Sequence, residues 1–390
     1  MNKILLIGAN LRATLFVAKN LYKNGYIIDV VDFEDIPLKK LKYINTYFKI
    51  DETNNPVFLQ NQIIKIISSA QYKCIIPIND VGILICHKYF EQIENYCKII
   101  MPNKEEIKFT IDKFNIIKKS LEFGFNYLKT LYISSYEELI IKIPNVDYFP
   151  VVVRSNSSKK IINNEIKSFS AFLATNKDEL LNRINYEYFP IIIQNQINTE
   201  EIGFNFLAVK GEIIISYFDK KILGNFGEEC ISRQVINRNI ELENKFKDLI
   251  KSISYNGVGM FDVFQENNNY YILELNGRFW ASIDLSEKAK TNLMQSYIEY
   301  FIKGNENICK SDGNYKIITN VNLFALIKSI IQKDLKIKSL KLLVKSLFNK
   351  NYYIQENIIR DFRFYCCMCL NKLKKNFLSK CKAKSCQSVK

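Results

Sequence analysis

Residues 257–282, GVGMFDVFQENNNYYILELNGRFWAS, decide the fold. FDVF and YYILELN are rich in β-branched and aromatic residues, and the Gln265-Glu266-Asn267-Asn268-Asn269 run between them has turn composition. With the turn centred on Asn268, Phe264 sits opposite Ile272 and Asp262 opposite Glu274. Side chains alternate along a strand, so Glu274 and Asn276 share a face and Asp262 joins them from across the ladder. Two carboxylates placed opposite each other repel. A hard cation relieves that repulsion, Mg²⁺ first and Mn²⁺ as the alternative. Arg278, two residues on, adds a fork suited to anions. The stretch therefore reads as holding a metal and a phosphate together; its plain alternative is a surface hairpin with both acids in water.

The chain has 390 residues, enough for two or three domains with substantial cores. No apolar run reaches the roughly 20 residues of a membrane span, and Ile4-Leu5-Leu6-Ile7 is too short for a signal peptide. The expectation is a cytoplasmic protein whose ten cysteines are mostly reduced thiols. Its net charge of +15 is concentrated at one end. Residues 308–390 hold 18 Lys and Arg against 4 Asp and Glu, which leaves residues 1–307 with about +1. A nearly neutral body does not suggest nucleic acid as a partner.

Working outward, residues 1–101 alternate strand and helix. KILLIGA, YIIDVVDF, CIIPIND and KIIMPN read as strands, residues 12–23 and about 81–94 as helices. This pattern predicts a small doubly wound parallel sheet. Gly8-Ala9-Asn10 with Asp32 is a weak dinucleotide fingerprint, and a strand-end turn accounts for it as well. From 103 come two helical stretches broken at Gly124, then the strand FPVVVRSN, a strand candidate IKSFSAFLA and a helix over 176–184. Strands dominate from 188 to 301, with helices over 242–254 and 286–303 flanking the hairpin. After 307, LFALIKSIIQKDLKIKSLKLLVKSLF sets apolar residues at helical spacing with lysines beside them.

Taken together, these motifs resemble the ATP-grasp superfamily, in particular its carbamoyl-phosphate-synthase-like and carboxylate–amine ligase members. The resemblance covers roughly residues 1–305. It implies an α/β and α+β multidomain ATP-grasp fold: a Rossmann-like pre-ATP-grasp domain over 1–102, a central lid subdomain over 103–186, a lobe with the metal site over 187–306, and a basic helical extension over 307–390. It implies that Asp262, Glu274 and Asn276 hold magnesium on ATP. The usual Asn-Pro-Arg is Asn276-Gly277-Arg278 here, and Arg278 is implied to contact transferred phosphate or a substrate carboxylate. Lys113 in Asp112-Lys113 and Arg154 in PVVVRSN match the two basic nucleotide positions. Gln194-Asn195-Gln196-Ile197 matches the adenine hinge: Gln194 facing the adenine edge, the backbone of Asn195 and Ile197 bonding it, and Glu201 taking the ribose hydroxyls. Lys220, with Lys221, matches a phosphate-facing basic position. Arg233 follows Phe226-Gly227-Glu228-Glu229-Cys230-Ile231-Ser232 and matches an active-site arginine. One departure stands out: Ser155-Asn156-Ser157-Ser158-Lys159-Lys160 occupies the lid segment without a glycine.

The implied chemistry is attack of a small-molecule carboxylate on the γ-phosphate, giving an acyl phosphate that an amine displaces. Such transfer relies on positioning and charge neutralisation rather than a protein base. One histidine, His87, expected on the surface after a helix, argues against serine–histidine and zinc–histidine hydrolysis. The competing reading, motivated by the glycine-free lid, is a catalytically impaired ATP-binding module acting through its basic tail. That tail suits an anionic membrane surface or an acidic partner. Cys366, Cys369, Cys381 and Cys386 can be written as a zinc set, but no turn glycine follows either pair.

Overall fold

The computed structural model describes residues 2–8, 11–33, 37–50, 55–224, 230–308, 313–332 and 336–355, together with Asp361, Arg363, Phe364, Cys366 and Cys367. Ala9-Asn10, residues 225–229 and Cys369, Cys381 and Cys386 fall outside them, and with them the full glycine fingerprint, much of the segment before Arg233 and the zinc set.

Strands β1 (Lys3–Ile7), β2 (Ile27–Asp32), β3 (Thr46–Lys49) and β4 (Cys74–Pro77) form a parallel sheet in the order β3-β2-β1-β4. Alternate residues of β1 feed cores on opposite faces. Ile4 and Leu6 pack with Val17 and Leu21 of helix Leu11–Lys23. Leu5 and Ile7 pack with Leu59 and Ile63 of helix Pro56–Ser68. A strand covered on both faces reads as a continuous apolar run, as KILLI does. The strand expected at KIIMPN is reduced to a single parallel bridge between Ile75 and Ile99. The reason is local: Asn103 and Glu106 form a reciprocal capping box that starts helix Lys104–Ile111 at once. Helix Lys113–Ser120 follows directly, capped by the Asp112 side chain on the Asn115 N–H. The helical break therefore falls at Asp112, and Gly124, at φ +75, ends the run.

The next strands are β5 (Thr130–Ile133), β6 (Val151–Ser155), β7 (Lys159–Ile162), β8 (Glu165–Ser168), β9 (Phe172–Ala174) and β10 (Ile191–Asn195). A second, antiparallel sheet runs β5-β10-β6-β9. β7 and β8 make a separate hairpin across Asn163-Asn164, both at positive φ (50° and 60°), so the strand predicted over 166–174 is divided in two. Ile166 of this hairpin is buried in the core of the first sheet, and Ile161 packs against the same core.

The third sheet has seven strands: β11 (Glu200–Val209), β12 (Glu212–Leu223), β13 (Ser232–Ile236), β14 (Gly257–Glu266), β15 (Asn269–Asn276), β16 (Thr319–Val321) and β17 (Tyr352–Ile354), in the order β15-β14-β11-β12-β13-β16-β17. Its core is aromatic: Phe204 stacks on Phe246 of helix Ile240–Ser252 with centroids 4.1 Å apart, and Phe206 and Phe261 extend the cluster. The tail is thus not wholly helical. Helices Leu323–Gln332 and Lys336–Phe348 lie between β16 and β17, two three-residue strands that extend this sheet. Strands so short leave almost no period in a sequence.

Candidate active site

β14 and β15 are joined by Asn267-Asn268, with Asn267 at φ +55. Nearest the turn Glu266 pairs with Asn269, and the ladder continues through Phe264–Tyr271 and Val263–Ile272. It then skips Leu273, so that Asp262 pairs with Glu274. The expected turn centre and the Phe264–Ile272 pairing are corrected: the tighter turn shifts the register by one residue, and the bulge at Leu273 shifts it back. Asp262, Glu274 and Asn276 consequently meet on one face. Asn276 Nδ2 donates to Asp262 Oδ2 at 2.9 Å, which leaves its amide oxygen for a ligand.

Burial and the facing Glu274 push the Asp262 carboxyl up to about 8. Burial opposes ionisation of Glu274 as well, but Lys113 and Arg154 outweigh it and hold that carboxyl below its ordinary value. Lys113 Nζ lies 3.1 Å from Glu274 Oε2 and donates to Ser158 Oγ at 2.7 Å. Two crowded carboxyls and an amide oxygen fit a hard cation that completes its shell with phosphate and water. Among the described residues no three His, Cys, Asp or Glu side chains gather closely enough to hold a metal by themselves.

This face opens on a cleft of about 390 Å³ between the second and third sheets. Lys113, Arg154, Gln194, Asn195, Ile197 and Glu201 all line it, beside Asp262 and Glu274. Arg154 donates to Gln194 Oε1, and Gln194 Nε2 donates to Thr130 Oγ1 at 2.9 Å, so both ends of that amide are engaged within the sheet. The Asn195 N–H donates to the Lys129 carbonyl at 3.2 Å, so Asn195 offers a ligand its carbonyl and side chain but not its N–H. Lys220 is not part of the lining. It pairs with Glu200 at 3.4 Å, while Lys221 faces the cleft and meets Glu201 at 3.1 Å. Alternation along β12 sends the two lysines to opposite faces.

The glycine-free segment is tied down on both sides. Asn156 accepts from the Phe114 N–H through its side chain and from the Lys113 N–H through its carbonyl, and Ser157 Oγ donates to the Ile111 carbonyl. Lys160 Nζ donates to the carbonyls of Tyr188 and Phe189 at 2.6 and 2.7 Å.

Arg233 lies behind the cleft. Its Nε donates to Asp219 Oδ1 at 2.7 Å, one terminal nitrogen to Glu201 Oε1 at 2.9 Å, and its backbone N–H to Asn320 Oδ1 at 2.8 Å. Asp219 is fully buried and also accepts from Asn205 at 3.0 Å. Gly203 makes room for this pair: a Cβ there would stand 2.6 Å from Asp219 Oδ1. Arg278 sits beyond the hairpin end, where its guanidinium forks onto Asp80 and reaches Asp80 Oδ2 at 3.1 Å. A smaller cavity of about 90 Å³ joins Asp80, Thr110 and Arg278 to Lys113, Ser158 and Glu274. Gly277 allows helix Lys104–Ile111 to approach, since a Cβ there would lie 2.4 Å from the Thr110 methyl. His87 belongs to the last turn of helix Asp80–Lys88 and is half-buried rather than exposed after it.

Sequence reasoning missed Lys221 as the cleft lysine, Asp219 and Asp80. Asp80 carried a usable signal, because it starts a helix at the carboxyl end of β4, where open α/β sheets gather ligands. Asp219 carried none.

Comparison with protein-family models and with curated protein sequences finds no significant match. Comparison with solved structures does. The biotin carboxylase domain of Hydrogenobacter thermophilus 2-oxoglutarate carboxylase, a complex with MgADP, ADP and bicarbonate, superposes with a TM-score of 0.64 at 15% identity, over 82% of this chain and 73% of that one. An L-amino acid ligase from Bacillus licheniformis gives 0.61 at 12% identity, over 82% and 78%. N5-carboxyaminoimidazole synthetase from Staphylococcus aureus gives 0.61 at 14% identity, over 85% and 86%. The chain has the ATP-grasp fold.

Proposed function

We propose that the protein is an ATP-dependent ligase that activates a substrate carboxylate as an acyl phosphate and joins it to an amine or similar nucleophile. One observation carries this reading: Lys113, Arg154, Glu201, Lys221, Asp262 and Glu274 converge on a single cleft of about 390 Å³. Asp262, Glu274 and Asn276 would hold Mg²⁺, which when bound neutralises phosphate charge. Lys113, Arg154 and Lys221 bring further positive charge to the same place, while Glu201 suits ribose hydroxyls and the hinge at Asn195 and Ile197 an adenine edge. Arg278 is the substrate-side group, its fork matched to a carboxylate or transferred phosphate and occupied by Asp80 in this structure. Arg233, fixed by Asp219, presents charge from behind. None of these roles requires a protein base, so the single histidine is no obstacle.

On this reading residues 1–102 form the pre-ATP-grasp domain, 103–186 the lid and 187–306 the metal-bearing lobe. The name of the Bacillus relative makes amino acids the first substrates to try. Full-length protein is incubated with Mg²⁺ and ATP and a paired panel of acids and amines, and phosphate release is measured. Release is expected only when both partners are present, and to fall at least about a hundredfold in Asp262→Asn and in Glu274→Gln. Undiminished turnover in both variants overturns the metal assignment. Magnesium-dependent ATP binding without turnover across the panel supports the other reading, an ATP-binding module impaired by its glycine-free lid.

A further inference from the structure

Helix Lys336–Phe348 turns only part of its circumference toward the protein. Ser339 and Leu342 are buried, and Ser339 Oγ lies 3.0 Å from Ser329 Oγ of the preceding helix. Ile337, Leu340, Val344 and Leu347 recur at three- and four-residue spacing, so they form one stripe. They are 71%, 42%, 56% and 61% exposed, and Phe348 at the end of the helix is 85% exposed. Scattered exposed apolar residues need no explanation, but a continuous row does. Lys338, Lys341 and Lys345 form a second, exposed stripe beside the first. These lysines also line a groove of about 190 Å³, with Ile222, Leu223 and Leu342 in its lining and, among the described residues, no carboxylate.

We infer that this helix docks the protein on an anionic lipid surface. The apolar stripe enters the headgroup–acyl boundary, and the lysine groove takes headgroup phosphates. The helix lies flat: its 13 residues span about 20 Å. Among the described residues, no helix is long and apolar enough to cross a membrane. Charge selects this occupant over a second copy of the chain. A two-fold contact through this face brings two lysine stripes together, with no acid among the described residues of the groove to offset them. Residues 308–390 carry almost all of the net charge, a surplus of 14 out of +15, and so favour an extended anionic surface over a small acidic patch. Docking holds whether or not the cleft turns over ATP.

The test is co-sedimentation of the full-length protein with vesicles of phosphatidylcholine mixed with phosphatidylglycerol, and with phosphatidylcholine alone. Binding is expected to the mixed vesicles only. Replacing Lys338, Lys341 and Lys345 by Ala together weakens it by about a hundredfold at low salt. Leu340→Asp with Val344→Asp abolishes it while the unfolding temperature stays put, because both side chains face outward. Failure of the wild type to sediment with the mixed vesicles overturns the inference, as does equal sedimentation of both variants. A dimer in light scattering that the double Asp variant dissolves, without vesicle binding, assigns the face to a second copy instead.

Discussion

Asp262 and Glu274 stand opposite each other on β14 and β15, and they do so only because Leu273 is bulged out of the ladder between them. Holding two carboxyls this close costs the empty protein stability, since one of them must stay protonated well above its ordinary range. Asp262→Asn is therefore expected to raise the stability of the nucleotide-free protein by about 1–2 kcal/mol. The same change removes the added stability that Mg²⁺ and ADP together confer. Thermal unfolding with and without both ligands reads the two effects. A variant that gains as much from Mg²⁺ and ADP as the wild type does would show that Asp262 is not a ligand.

Lys220 and Lys221 separate in the same kind of experiment. Lys221 lines the cleft and meets Glu201, whereas Lys220 pairs with Glu200 away from it. Lys221→Ala should weaken ATP binding by about tenfold, the scale of one lost charge-assisted contact. Lys220→Ala should leave affinity unchanged and alter stability by less than about 0.5 kcal/mol. Calorimetric titration of ATP into each variant checks both, and the reverse order would return the role to Lys220.

Removing Asp219 strands a buried arginine. Asp219→Ala is expected to cost about 3–5 kcal/mol, because among the described residues Arg233 then keeps only Glu201 as an ion-pair partner. Gly203→Ala strikes the same pair sterically and should also destabilise. Denaturant unfolding measures the loss, and an Asp219→Ala protein within about 1 kcal/mol of the wild type would show the pair to be dispensable.

Asp29 gives the pH dependence. It is fully buried on β2 and accepts from Tyr72 Oη at 2.7 Å, Asn45 Nδ2 at 2.8 Å and the Thr46 N–H at 3.0 Å, with Lys3 Nζ at 2.8 Å. Burial opposes its ionisation, but Lys3, Asn45 and Tyr72 together hold the carboxyl below its ordinary value of 3.8. The unfolded chain thus binds the proton more tightly, so this contribution is complete above about pH 4 and is lost as pH falls through the lower folded value. Asp29→Asn should destabilise by about 3 kcal/mol at pH 7. The gap between variant and wild type should narrow below pH 4; a gap independent of pH would assign the effect to packing.

The hairpin was legible because its acids, amide and arginine are close in sequence and obey a two-residue period. Even there the correct Asp262–Glu274 pairing followed from a turn placed one residue off, compensated by a bulge that no residue type announces. The doubly wound first sheet was legible for a similar reason: KILLI and IIDVVD are unbroken apolar runs. What stayed hidden depends on contacts between distant segments. Arg278 and Asp80 are 198 positions apart, and Arg233 and Asn320 are 87 apart. Their partnership is set by how sheets assemble, not by spacing. The lysine choice on β12 failed at the finest level, since a pair of adjacent lysines leaves the parity of the strand open.

Asn320 gives the C-terminal segment a second meaning. It sits on a three-residue strand, accepts from the Arg233 backbone N–H, and is separated from the first tail helix by only two residues. Trimming the chain before β16 would leave every matched nucleotide residue in place yet remove a wall that positions an arginine. A tether or load applied to the helix pair likewise reaches Arg233 through a single strand, which makes the tail part of the protein's frame as well as its outer surface.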